Sequence, residues 1–282
     1  MGFMASIKAQ KAYALHGKGR IKEAAQMYEE AIQAGLDNPR YLLSYSVLLI
    51  RSGEYAKARD LLRKTEKAPG LTEEQKTQLF TNYAACMFRL GSIDKGISLL
   101  EKRHLRTPCG MIYQTLGYLY VEKFDPVNLP DFDAMDAESA KHYEEAVAQA
   151  REQAEAAGFE PALPDAPVPA KDAYLAQKER ASQFLAEALD YDDEDTICLD
   201  NMAQWHYRVL GDKEKARAYF DKAHELKDDQ IDTLWFLSRY ALDEGNKEKA
   251  LEYLNKALDS RFSPLNFKSK ADFEEEISRL NA

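Results

Sequence analysis

The sequence of 282 residues predicts an all-α fold: an open solenoid of about six helical hairpins, ended by a short capping helix. Two observations carry that reading. A glycine-led pattern returns along the chain at near-constant spacing, and apolar residues recur at helical period on both sides of each glycine. Composition agrees, since 45% hydrophobic and 30% charged residues suit a folded chain and argue against wholesale disorder. A repeat array grows its core along one axis, so this length reads as one body.

The pattern begins at Gly19, which leads Ala24, Tyr28 and Ala31. Gly53 leads Ala58 and Leu62; Gly91 leads Gly96 and Leu100. Gly211 leads Ala216, Phe220 and Ala223, and Gly245 leads Ala250, Leu254 and Ala257. Thr65 and Arg103 depart from the last small position. Glycine reaches the backbone angles that end one helix and turn into the next. The small residue lets two helices approach closely, and the large one fills the space beside it. Upstream, Ala12, Ser46, Ala84, Gly117, Ala203 and Ser238 hold the matching place in each first helix. Spacings between small residues are 34 (24 to 58), 38 (58 to 96), 35 (181 to 216) and 34 (216 to 250).

This pattern resembles the tetratricopeptide repeat (TPR), whose period is about 34 residues. The resemblance implies a right-handed α-solenoid in which the first helix of each repeat lines a concave groove. In order, the repeats are expected at about 5–38, 39–70, 73–108, 110–123 with 172–193, 195–228 and 230–262, followed by a capping helix at 268–281. The fourth is split. Met111–Tyr120 reads as its first helix and Glu179–Ala188 as its second, with 124–171 inserted between. A rival register places Ser139, Tyr143 and Ala146 on the second helix and leaves 172–190 without a partner. The insert holds eleven acidic and three basic residues, a net of −8 out of −10 for the chain, and six of the ten prolines. Residues 137–157 within it read as helix and 158–170 as a proline-rich strap.

Catalytic equipment is not legible. His16, His104, His142, His206 and His224 pair neither with each other nor with a cysteine at metal-ligand spacing. The Asp190–Asp195 run lacks the glycine and glutamate of a calcium loop. No phosphate-binding glycine run, dinucleotide fingerprint or nucleophile elbow is present. The expectation is a non-enzymatic chain with no cofactor and no metal. Cys86, Cys109 and Cys198 read as free thiols in a reducing compartment, which favours the cytoplasm. Met1-Gly2 with Ser6 matches a short and unspecific myristoylation pattern. No window is long and apolar enough to span a bilayer, and no secretory h-region opens the chain. The acidic balance argues against nucleic acid.

If the resemblance holds, helical stepping along the first helices gives the groove-facing set. It comprises Tyr13, Leu43, Val47, Arg51, Asn82, Phe88, Arg89, Gln114, Tyr118, Asn201, Gln204, Arg208, Trp235, Phe236 and Arg239. Aromatics and arginine are enriched at binding hot spots. Arg51, Arg89 and Arg208 recur near the ends of first helices, either complementing the helix dipole or forming a row for an acidic segment. The Lys and Asn pattern of chaperone-binding members cannot be placed on these repeats. The expected function is a scaffold that binds a protein or peptide partner, with an acidic peptide as one candidate and the insert folded over the same edge. Two alternatives are a peptide-ligand sensor and an architectural subunit that self-associates through an uncapped N-terminal end.

Overall fold

The computed structural model describes residues 3–282; Met1 and Gly2, on which the myristoylation pattern depends, lie outside the described residues. Fourteen α-helices follow one another without a strand among the described residues. Six pairs form hairpins: α1 (Phe3–Gly17) with α2 (Ile21–Gln33), α3 (Pro39–Arg51) with α4 (Tyr55–Thr65), α5 (Glu73–Arg89) with α6 (Ile93–His104), α7 (Gly110–Phe124) with α9 (Ala170–Tyr191), α10 (Thr196–Gln204) with α11 (Lys213–Leu226), and α12 (Ile231–Asp243) with α13 (Lys247–Leu258). α14 (Lys270–Asn281) packs on α13 and buries Phe273 and Leu280.

Local chemistry sets the ends of these helices. Asn38 accepts a hydrogen bond from the Arg40 amide ahead of Pro39, and Thr72 with Gln75 and Ser269 with Asp272 form reciprocal capping boxes. The repeat glycines 19, 53, 91, 211 and 245 all adopt left-handed φ between 71° and 78°, a conformation in which any other residue carries a Cβ penalty. Inside the hairpins, Ala24, Ala58, Ala181, Ala216 and Ala250 are fully buried beside Tyr28, Leu62, Leu185, Phe220 and Leu254. At Gly96 the two helices of the hairpin approach closely, since an added Cβ would stand 3.0 Å from the Ala84 carbonyl oxygen. The two departures have compensations. Thr65 donates to the Leu61 carbonyl at 2.8 Å, and buried Arg103 reaches the Glu73 carboxylate at 2.6 Å.

Successive first helices pack on one another from α1 through α3, α5 and α7 to α10, whereas successive second helices make no extensive contact. The first-helix layer is therefore the shorter, inner face of the curve.

Between α7 and α9 the chain leaves the solenoid as a finger. α8 (Phe132–Ala157) runs outward and has its extensive helix contact with α9. Its half-buried residues, Phe132, Asp136, Ser139, Tyr143, Val147 and Ala150, fall with buried Ala154 on one stripe at helical period. Gly158 turns the chain in a left-handed conformation, and residues 159–169 return extended until the Ala170 amide meets Asp136 at 2.7 Å. The lengths match: about 32 Å of helix from 136 to 157 and about 37 Å for twelve residues in polyproline geometry. Only Ala154 of α8 is fully buried. Excising Glu138–Pro167 and joining the ends with a short Gly-Ser link is accordingly expected to shift the thermal midpoint by no more than about 4 °C, the scale of 1 kcal/mol in a chain of this size. A much larger drop would place the finger within the core.

A candidate interaction face on the first helices

The inner face divides into two halves with different surroundings. On α1, α3 and α5 the predicted residues are accessible: Tyr13 is 42% exposed, Arg51 and Arg89 are exposed, and Val47, Asn82 and Phe88 are half-buried. Arg40 lies 5.0 Å above the Tyr13 ring, and Tyr41 meets that ring edge-on at 6.0 Å. His16 shares a hydrogen bond with the Ser44 hydroxyl at 3.1 Å. Burial lowers its affinity for a proton, and the guanidinium groups of Arg51 and Arg261 lower it further. Burial and then Arg261 act in the same direction on Arg51. Two arginines and a histidine thus share one stretch of surface, and among the described residues Arg51 and Arg261 form no ion pair.

On α7, α10 and α12 the expected outward residues are largely interior, which corrects the sequence-based set. Tyr118, Asn201, Gln204, Trp235 and Phe236 are buried, as is Leu43 in the first half, where it joins the core around Tyr28 and Leu62. Gln114 donates to Asp195 at 2.6 Å, and Asn201 donates to the Gln114 carbonyl at 2.9 Å, so both amides tie helices together. Arg208 donates to Asp125 and Glu122, each at 2.7 Å, and to Gln204 at 2.8 Å. Trp235 is sandwiched between Arg239 at 4.4 Å and Phe273 of α14 at 4.9 Å, while Arg239 also pairs with Glu276.

Two features produce the difference. First, α10 ends in a π-helical turn, Trp205–Leu210, which holds one residue more per turn and rotates Arg208 into the interior. The sequence carries its trace: the small residue of the first helix precedes the glycine by seven positions at 12, 46, 84 and 238, but by eight at 203. Second, residues 259–269 leave α13 and cross the inner face before entering α14. Arg89 donates to the Pro264 carbonyl at 2.7 Å, across 175 residues of sequence. Asp232 accepts from the Asn266 amide group and the Phe267 main chain, both at 3.1 Å. Of the arginine row, Arg208 meets Asp125 at the start of the insert and Arg89 meets this strap, while α8 itself lies against α9.

Beneath the strap lie two buried carboxyls. Asp200 accepts from Thr233 at 2.6 Å and Gln204 at 2.7 Å. Burial raises its pKa, its hydrogen bonds and Arg208 opposing; burial and the charge of Asp200 raise that of Asp232, with Glu122 adding to the effect. A carboxyl whose folded pKa is raised contributes its full stability below the ordinary carboxyl range and loses it as pH rises through the folded value. Asp200→Asn removes that loss. Its thermal midpoint is therefore expected to move upward relative to the wild type between roughly pH 4 and pH 7. A constant gap across that window would show that Asp200 carries no raised pKa.

An inner layer of helices with a crossing segment defines a helical-hairpin solenoid. The tetratricopeptide-repeat family pattern matches residues 10–71 and again 231–263. These two stretches are tetratricopeptide repeats, and the hairpins between them continue the same fold. No curated protein matches its sequence. Among solved structures, the thermophilic TPR protein TTC0263 of Thermus thermophilus aligns at 19% identity over 86% of this chain and 99% of its own, with a TM-score of 0.55. PilW, a widely conserved type IV pilus biogenesis factor, aligns at 14% identity over the whole of both chains, with a TM-score of 0.58. PilF of Pseudomonas aeruginosa aligns at 12% identity over 97% of each chain, with a TM-score of 0.51. At these identities the likeness is one of fold.

Proposed function

We propose that this chain is a non-catalytic scaffold that holds an extended, acidic segment of a partner protein against the open half of its inner face. The observation that supports it is the positive charge gathered there: Arg51 and Arg261 lie close enough to act on each other and on His16, and among the described residues neither arginine forms an ion pair. Like charges kept together on a surface favour an anionic ligand. Exposed Tyr13 and half-buried Val47 supply apolar contact beside them. An array of extended peptides graded from acidic to basic tests the reading. The wild type is expected to retain the acidic members, and Arg51→Glu to lose about tenfold in affinity for them. Binding that ignores peptide charge, or that survives the reversal, counts against it.

A second reading rests on α1, where Phe3 at 79%, Met4 at 59% and Ile7 at 44% exposure form an apolar strip of the kind that invites association with another chain. Sedimentation at several concentrations decides it: a mass that rises with concentration and falls on Phe3→Asp supports self-association. Among the described residues no helix is long and apolar enough to cross a membrane. The cytoplasm is the compartment proposed, because three cysteines remain as free thiols.

A further inference from the structure

The segment Ser263–Lys268 touches the inner face as a bound peptide does. It has no helix of its own, and its residues from Pro264 to Lys268 are half-buried. It shapes its own turn: the Asn266 side-chain oxygen accepts from the Ser263 amide at 2.6 Å, and the Ser263 hydroxyl accepts from the Leu265 amide at 3.1 Å. What the turn then offers is a small set of groups. The Pro264 carbonyl faces Arg89, the Asn266 side chain and the Phe267 amide face Asp232, and the Phe267 ring enters a slot. In that slot Phe236 stacks on the ring at 5.3 Å and 20°, and the Arg208 guanidinium lies 3.9 Å from its centre.

The receptor side stands largely without the strap. Arg208 is held by Glu122, Asp125 and Gln204, and Phe236 is held by stacking on Phe220 at 4.8 Å. Asp232 is the exception: the hydrogen bonds described for its carboxyl come from Asn266 and Phe267. A buried carboxyl needs donors, so whatever takes the strap's place must bring a main-chain N–H or a side-chain amide. Space for exchange adjoins it. A cavity of about 610 Å³ separates the strap, at Arg261 and Leu265, from Gln114, Tyr118 and Gln230 on the helices.

We propose that Ser263–Lys268 is a built-in ligand of the inner face, and that the site beneath it receives a partner peptide of the same chemistry. Such a peptide carries a proline carbonyl for Arg89, an Asn side chain with the following amide for Asp232, and an aromatic ring for the slot between Arg208 and Phe236. The site adjoins the open cationic half, from which Arg89 and Arg261 border it, and it rests on the same reading of the inner face as a peptide-binding surface. A tethered ligand competes at an effective concentration in the millimolar range, so the wild type is self-occluded towards dilute peptides.

The test uses the synthetic hexapeptide Ser-Pro-Leu-Asn-Phe-Lys, the chain's own sequence at 263–268, against the full chain and against the double variant Asn266→Ala with Phe267→Ala. The variant is expected to bind the hexapeptide at least about tenfold more tightly than the wild type, and a hexapeptide with Phe replaced by Ala is expected to lose that gain. Equal affinity for both chains, or indifference to the Phe, overturns the proposal. Because the double variant could lose its fold, hydrogen exchange on the wild type gives an independent reading. Amides 265–268 are expected to exchange faster than those of α12 and α14; protection equal to α12 would show that the strap never opens and would overturn the proposal. Neither measurement involves the acidic-peptide array, so the two readings fail separately.

Discussion

Replacing Arg208 with alanine is expected to destabilise the chain by about 3–5 kcal/mol in a chemical denaturation series. The guanidinium is 6% exposed, and its partners Glu122 and Asp125 are 12% and 9% exposed. Burial alone would work against its charge, but Glu122 and Asp125 more than offset that and keep it protonated. Removing the cation leaves two carboxylates out of water with nothing to balance them, which is why breaking a buried pair costs more than the pair contributes. Arg208→Lys is expected to recover only part of the loss, since one ammonium cannot meet Glu122, Asp125 and Gln204 in the same fork. Converting the cluster together to apolar and amide residues, with Arg208→Met, Glu122→Gln and Asp125→Asn, is expected to recover most of it. A cost below about 1 kcal/mol for Arg208→Ala would place the cluster at the surface instead.

Phe220→Ala is the second large effect, at about 3–5 kcal/mol. Phe220 is fully buried, stacked 4.8 Å from Phe236 at 15° and edge-on to Tyr207 and Tyr240. Truncation leaves a cavity that neighbours on three helices cannot close. In a solenoid each hairpin contacts mainly its neighbours, and beyond these the C-terminal half reaches back through the strap to Arg89, so the loss is expected to be largely local. Thermal unfolding of the variant should split into two steps, with hydrogen exchange showing α10–α14 opening first. A single step with both halves lost together would mean that the array folds as one cooperative unit. The slot for Phe267 uses the opposite face of Phe236, so the strap amides should also lose protection.

The repeat was legible because close helix packing demands a small residue at a fixed place, and Ala24, Ala58, Ala216 and Ala250 declare it by spacing. The open half of the inner face was legible for the same reason, since Tyr13, Val47 and Arg51 sit on regular α-helices where stepping by 3.6 residues is a sound guide. Arg208 was misplaced by one residue of π-helical turn, although the eight-residue interval from Ala203 to Gly211 recorded it. The burial of Trp235 and Phe236 was not legible, because it depends on Phe273 and Phe267, 38 and 31 residues further on, returning over them. Ser263-Pro264 reads in sequence as a helix stop, and nothing local tells that Asn266 and Phe267 will meet Asp232. Contacts between a loop and a distant face follow from the curvature of the whole array, which no short window contains.

The central claim is that a partner meets this chain on the inner, first-helix face. Site-specific photo-crosslinking in cells tests it most directly, with a benzophenone side chain placed at Tyr13 or Val47 on the inner face and at Arg63 or Lys95 on exposed second helices. The account predicts discrete protein adducts from positions 13 and 47, reduced by Arg51→Glu, and none from positions 63 and 95. Adducts from 63 and 95 with none from 13 and 47 would contradict it.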